Sequence, residues 1–264
     1  MYRKIIFVFL IGIWHFYSIA QTVKIGNQVW NTKNLDVSSF RNGDIIPVAE
    51  SYAVWEDAYK NHQPAWCYYD FNVSYKENHG KLYNIWALLD PRGLTPAGWR
   101  IPSIDDWRTL IKYLGGSEIA GKKLKSTKGW NSYKDGGKSS KICPKCENWS
   151  DEYRKKVPCH TCKDTRWVDV FEPIVTHSGN GTNISGFSAL PGGTIDRDNF
   201  GAFTCNSYGK DVVYWSTSIS QIDQYINHWV ITLHYTIDDA TDFEEKHWTR
   251  SVFPIGGHYI RCLK

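Results

Sequence analysis

The chain has 264 residues, 42% of them hydrophobic, which suffices for one large packed domain with room for an insertion. Its formal charge is +4, and removing Arg3 and Lys4 with a cleaved leader leaves +2, a balance that argues against a nucleic-acid-binding field over the whole surface. Thirteen Trp and sixteen Tyr against a single Met describe a core of rigid aromatics, so most of these rings are expected inside rather than on a sugar-binding face.

Residues 1–20 read as a secretory leader. Arg3 and Lys4 are its positive end, Ile5 to Trp14 its apolar run, and Ser18-Ile19-Ala20 the small residues before a cut at Gln21. Ten apolar residues are too few to span a bilayer core of about 30 Å, and no later segment reaches 18 uncharged apolar residues. The expected product is exported, to the periplasm, cell surface or medium, with no transmembrane segment and, lacking a cysteine at the cut, no lipid anchor.

Val23 to Trp30 reads as a hairpin turning at Gly26-Asn27. Residues 40–65 are polar and irregular. Trp66 to Asp70 has strand content, and the apolar run His79 to Leu89 is ambiguous between helix and strand until Asp90-Pro91-Arg92-Gly93 closes it. A helix then begins at Ser103. Its hydroxyl can accept from a backbone N–H two or three residues on, Asp106 faces the positive end of the helix dipole, and Pro102 makes the start abrupt. Trp107, Leu110, Ile111 and Leu114 fall on one apolar stripe, and Gly115-Gly116 supplies the left-handed stop. Lys134 to Ser140 reads as a break, Gly179 to Gly193 as loop, and Val212 to Ser216, His228 to Tyr235 and Gly257 to Leu263 as short strands. The fold class is α+β, with short antiparallel strands and one or two short helices.

Several collinear motifs carry a family resemblance. Ile25-Gly26-Asn27-Gln28-Val29-Trp30 with Asn34-Leu35, Gly80-Lys81-Leu82-Tyr83-Asn84, Asp90-Pro91-Arg92-Gly93-Leu94, Gly98-Trp99-Arg100-Ile101-Pro102-Ser103, Gly186-Phe187-Ser188-Ala189-Leu190-Pro191-Gly192-Gly193, Tyr214-Trp215-Ser216-Thr217-Ser218 and Ile260-Arg261-Cys262 resemble the Fibrobacter succinogenes major paralogous domain. That family is similar in turn to the formylglycine-generating-enzyme and C-type-lectin-like folds. The resemblance implies a C-type-lectin-like core over 21–133 and 176–264, interrupted by a cysteine-rich insertion at 134–175. It also implies a bacterial surface or secreted context, and a disulfide between Cys67 and Cys262, since an early cysteine in such folds often bridges to the last strand.

Four cysteines carry the sharpest chemistry. Cys143-Pro144-Lys145-Cys146 and Cys159-His160-Thr161-Cys162 are paired C-x-x-C knuckles at zinc-ribbon-like spacing, which lets four sulfurs reach one tetrahedral metal. Such a zinc would be structural, because four thiolates leave no open position, and it would order a segment too long and polar to fold by burial. Two disulfides, favoured by an oxidising compartment, and thioredoxin-like chemistry at Cys159 and Cys162 are the competing readings.

Catalytic signatures are nearly absent. There is no H-E-x-x-H, Gly186-Phe187-Ser188-Ala189-Leu190 lacks the second glycine of a nucleophile elbow, and Gly137-Lys138-Ser139 lacks the earlier P-loop glycine, replaced by Ser132. Asp196-Arg197-Asp198-Asn199 offers too few oxygens for calcium and reads as a turn. Formylglycine-generating enzymes need a close cysteine pair in the C-terminal core, where only Cys205 and Cys262 lie here. The expectation is a non-catalytic binding or surface-structural domain recognising glycan or protein through loops between Gly179 and Thr217, with Tyr214 and Trp215 as candidate contacts. A cysteine-dependent oxidase of the formylglycine-generating type is the alternative.

Overall fold

A computed structural model describes residues 22–264 except 151–158, 164, 199, 223–224, 239 and 241–255. The leader expected at 1–20 lies outside the described residues. Strands β1 (Thr22–Ile25) and β2 (Gln28–Asn31) form the expected hairpin. Gly26 at its turn has φ 61°, the left-handed conformation that a tight hairpin needs.

The stretch expected to be irregular contains a helix, α1 (Tyr52–Lys60), which Ser51 caps by accepting from the Val54 N–H at 3.3 Å. It buries only Trp55 and Ala58, too sparse a stripe to read as a period. The apolar run after it divides rather than choosing one state. Strand β3 (Trp66–Cys67) is followed by α2 (Lys76–His79), then β4 (Leu82–Tyr83), which pairs with β3, and then α3 (Ile85–Leu89). Asn84 makes the division, its Oδ1 accepting from the N–H groups of Ala65 and Ala87 at 3.0 Å while Nδ2 donates to Gln63 O at 2.8 Å. Lys81, 3% exposed, is held by Asp36 and the Ser38 hydroxyl and lies 4.2 Å over the Trp66 ring.

The helix expected from Ser103 is α4 (Ile104–Tyr113), with Trp107, Leu110 and Ile111 buried and Gly115 and Gly116 both at positive φ beyond it. A short α5 (Ser117–Leu124) follows. Five α-helices are present among the described residues where one or two were expected, because α1 and α3 are set by the side-chain caps Ser51 and Asn84 and the one-turn α2 carries no apolar stripe. Ser103 and Asp106 form a reciprocal capping box, and Arg100 clamps the Asp106 carboxylate, one N–H donating at 2.8 Å. Burial pushes the Asp106 carboxyl up, but the donors from Arg100 and Ser103 outweigh it and leave its pKa lowered. A lowered folded-state value stabilises in full above the ordinary carboxylate range and is lost as pH falls through it. Ser103→Ala should cost about 1 kcal/mol in thermal unfolding at neutral pH, and Asp106→Asn should flatten the acid limb of stability against pH.

Strands β5 (Ser132–Ile142) and β6 (Trp167–Ser178) pair antiparallel with each other as a two-stranded ribbon. Lys134 to Ser140, expected as a break, is strand, because the apolar partner strand supplies the β-propensity that Lys, Gly and Ser lack. Gly136 is required at the bulge, since with φ 92° a Cβ there would lie 2.2 Å from Pro173 O. β7 (Gly192–Arg197), β8 (Phe203–Tyr208), β9 (Asp211–Ile222) and β10 (Tyr225–His234) form a sheet of order β10-β9-β7-β8. In the β7–β8 turn Asp198 Oδ1 accepts from the Phe200 and Ala202 N–H groups at 2.9 Å, as a turn residue does.

The tail expected as a strand, Gly257 to Leu263, instead makes isolated bridges to Ile195, Tyr83, Tyr214, Trp30 and Arg100. Each bridge goes to a different segment, two of them from Leu263, so no ladder forms. The tail nonetheless ties the body together at Arg261, which is 2% exposed. Its five N–H groups donate to Asn34 Oδ1 twice, Asn31 O, Phe187 O and Tyr214 Oη, at 2.6 to 3.2 Å. The guanidinium also lies 4.4 Å over the Phe187 ring. Around it Trp30, Trp107, Phe187 and Tyr214 pack with centroids 4.8 to 6.0 Å apart, the aromatic core that the composition implied.

Candidate metal centre

The ribbon projects about 35 Å at ~3.3 Å per residue, and its tip carries all four knuckle cysteines. Its base is fixed to the body by Tyr133, which stacks on His177 at 5.1 Å and meets Tyr235 edge-on at 5.9 Å. At the tip, the Cys143 N–H donates to Arg166 O at 2.9 Å, continuing the ladder, and the Cys146 N–H then turns back to Cys143 O at 3.0 Å. These bonds face the sulfurs inward. Cys143, Cys146, Cys159 and Cys162 are all buried, their Sγ atoms lie within 4.8 Å of one another, and Trp149 and Val168 pack against them.

Cross-knuckle spacings are 3.8 Å for Cys143–Cys159 and 3.7 Å for Cys146–Cys162. A tetrahedron with Zn–S arms of about 2.3 Å has an edge of about 3.8 Å, whereas a disulfide needs about 2.0 Å. None of the seven cysteines is in a disulfide. The arrangement therefore suits a tetrahedral thiolate metal. The thiols are shifted in opposite directions: N–H groups of Cys162 and Thr161 draw the Cys159 thiol down to about 7, while burial and the neighbouring Cys162 and Cys143 sulfurs push Cys146 up to about 12. Four thiolates this close repel one another, and only a cation among them keeps all four ionised.

Other expected site residues stand elsewhere. Tyr214 and Trp215 are fully buried and are not surface contacts, correcting the assignment of both as ligand-binding rings. Tyr214 Oη accepts from Arg261, Trp215 Nε1 donates to Tyr83 O at 2.8 Å, and Ser218 Oγ accepts from Ile104 N at 2.9 Å. That motif binds β9 to the start of α4 rather than facing solvent. Cys67 and Cys262 are buried free thiols in separate hydrophobic clusters, so the expected bridge between them is not formed. Cys205 is half-buried, its Sγ accepting from Asp70 N at 3.1 Å and its N–H donating to Tyr52 Oη at 2.8 Å. Burial raises its thiol pKa, and burial pushes Cys262 up to about 12.

Sequence reasoning missed a surface cleft of about 570 Å³ on the body. Lys33 from the segment after β2, Lys76 and Glu77 from α2, Lys128 beyond α5 and the buried Arg261 line it. These positions are scattered over more than 200 residues, and no local pattern joins them.

No helix among the described residues is long and apolar enough to cross a membrane. The chain matches no curated protein and no solved structure. Residues 23–264 match the model of the Fibrobacter succinogenes major domain, so the hairpin, the capped helix, the aromatic core and the Arg261 tie are features of a chain that belongs to that family.

Proposed function

We propose that this chain is an exported, non-catalytic recognition domain, its body C-type-lectin-like in fold, bearing an arm whose tip is clasped by a structural zinc ion. The tetrad of buried sulfurs at tetrahedral spacing carries the reading. A cluster of four protein thiolates closes the coordination sphere, leaving no place for water or substrate, so the metal shapes the tip and performs no reaction. Export is supported by the basic-apolar-small order of residues 1–20. Recognition of glycan or protein falls to the surface that packing leaves open, namely the arm and the lysine-rich cleft, whose lining includes Asn34, Ser188, Leu190 and Arg261 of the family motifs.

The oxidase reading draws little support from the thiols. A reactive cysteine is held as thiolate by nearby positive charge or N–H donors, whereas at Cys205 burial outweighs the Asp70 N–H and Tyr52 contacts and at Cys262 it outweighs Arg261, so both are pushed toward the thiol. Elemental analysis with thiol counting on protein exported from its own host tests the proposal. About one zinc per chain, with the four knuckle thiols released only by chelator, supports it, while a metal-free chain with oxidised knuckles overturns it.

A further inference from the structure

We propose that the 570 Å³ cleft binds an acidic saccharide, gripping its carboxylate between Lys33, Lys76 and Lys128; this rests on the recognition reading above and names its ligand class. Four cations line the cleft against Asp36 and Glu77, and Asp36 is already paired with Lys81 at 3.1 Å. Lys33, Lys76 and Lys128 are exposed, and none forms an ion pair with a described residue.

Arg261 deepens the field. It is buried, yet no carboxylate among the described residues lies within 4.0 Å of it, and its five donors are satisfied by neutral oxygens. Neutral acceptors solvate a guanidinium without cancelling its charge, so its positive potential reaches into the adjoining cleft, where an anion would be stabilised.

The rest of the lining selects among anions. Leu190 alone supplies an apolar side chain, while Asn78, Thr127 and Ser188 offer amide and hydroxyl groups, so the occupant is polar throughout. Single-stranded nucleic acid needs aromatic platforms for its bases, and no Phe, Tyr or Trp lines the cleft. A peptide bound by strand addition or by apolar anchors needs a free strand edge or apolar pockets, and neither is present in the lining, while an acidic peptide shares only the charge and not the use of the hydroxyl and amide groups, which the hexaglutamate titration below separates. The volume lies in the range of small-molecule sites and far exceeds that of one inorganic anion. A hydroxyl-rich molecule of two or three rings with carboxylates fits both the size and the chemistry.

The test is calorimetric titration of the full chain with trigalacturonate, beside maltotriose as its neutral counterpart, hexaglutamate and sodium sulfate. Trigalacturonate should bind at least about tenfold more tightly than each of the others, and more weakly as salt rises. Lys33→Gln/Lys76→Gln/Lys128→Gln should weaken it by about tenfold or more with an unchanged thermal midpoint, since all three side chains are exposed. Trigalacturonate binding no better than maltotriose, an unaffected triple variant, or equal binding of hexaglutamate or sulfate would each overturn the assignment. Glycan-array binding confined to neutral sugars would overturn it while leaving the broader recognition reading standing. Chelator-treated protein should bind trigalacturonate as before, so failure of the zinc reading and of this one are separable.

Discussion

Chelation of the metal should unfold the end of the arm and spare the body. Protease should cut between residues 143 and 166 within minutes of adding a strong chelator, while the thermal midpoint of the body shifts by less than about 2 °C. An isolated two-stranded ribbon is marginal in water, and among the described residues the tip beyond it buries the four sulfurs, with Trp149 and Val168 against them. Without the proposed cation the clustered thiols cannot all ionise, and Trp149 and Val168 are the packing that the described residues offer the knuckles. Apparent metal-binding energies of roughly 10–16 kcal/mol in small zinc domains show how completely folding can depend on such a centre. Cys143→Ser, which leaves three sulfurs, should give the same digestion pattern without chelator. Protection that survives both treatments would mean that the tip folds without metal.

Arg261→Lys should destabilise the body by about 2–6 kcal/mol, lowering the thermal midpoint by roughly 4 °C or more. An ammonium has three donors at one point and cannot reproduce the planar fork that reaches Asn34, Asn31, Phe187 and Tyr214 together. At least two buried acceptors would lose their donor, each at about 1–3 kcal/mol. A variant within about 1 kcal/mol of the parent would show that these contacts follow the packing rather than hold it. The charge is kept in this substitution, so its effect isolates geometry from electrostatics.

Most family-motif side chains hold the scaffold, and Asn34, Ser188 and Arg261 do so while also lining the cleft. Asn84 caps α3, Arg100 and Ser103 hold the start of α4, Ser218 accepts from the first N–H of that helix, and Tyr214 accepts from Arg261. Side chains engaged in this way are scaffold, however chemically suggestive their types. Tyr214 and Trp215 were misread for that reason: an aromatic with a polar handle suits a ligand contact and a hydrogen-bonded core position equally. Lysines of the cleft passed unnoticed because a single exposed lysine is ordinary, and only their convergence is informative.

What the residues alone determined is local. The Gly26-Asn27 turn, the Ser103-Asp106 capping box with its apolar stripe, and two C-x-x-C knuckles each depend on neighbours a few positions away, where backbone geometry leaves little choice. Tertiary structure decided everything that needed distant partners: the short caps of α1 and α3, the strand state of the Lys-Gly-Ser stretch in β5, the bridging path of the tail and the gathering of cations around Arg261. Propensity and periodicity report only what a segment gains from itself. Arg261 draws its donors' partners from the end of β2 and the segment after it, the loop before β7, and β9, and no window along the chain contains that sum.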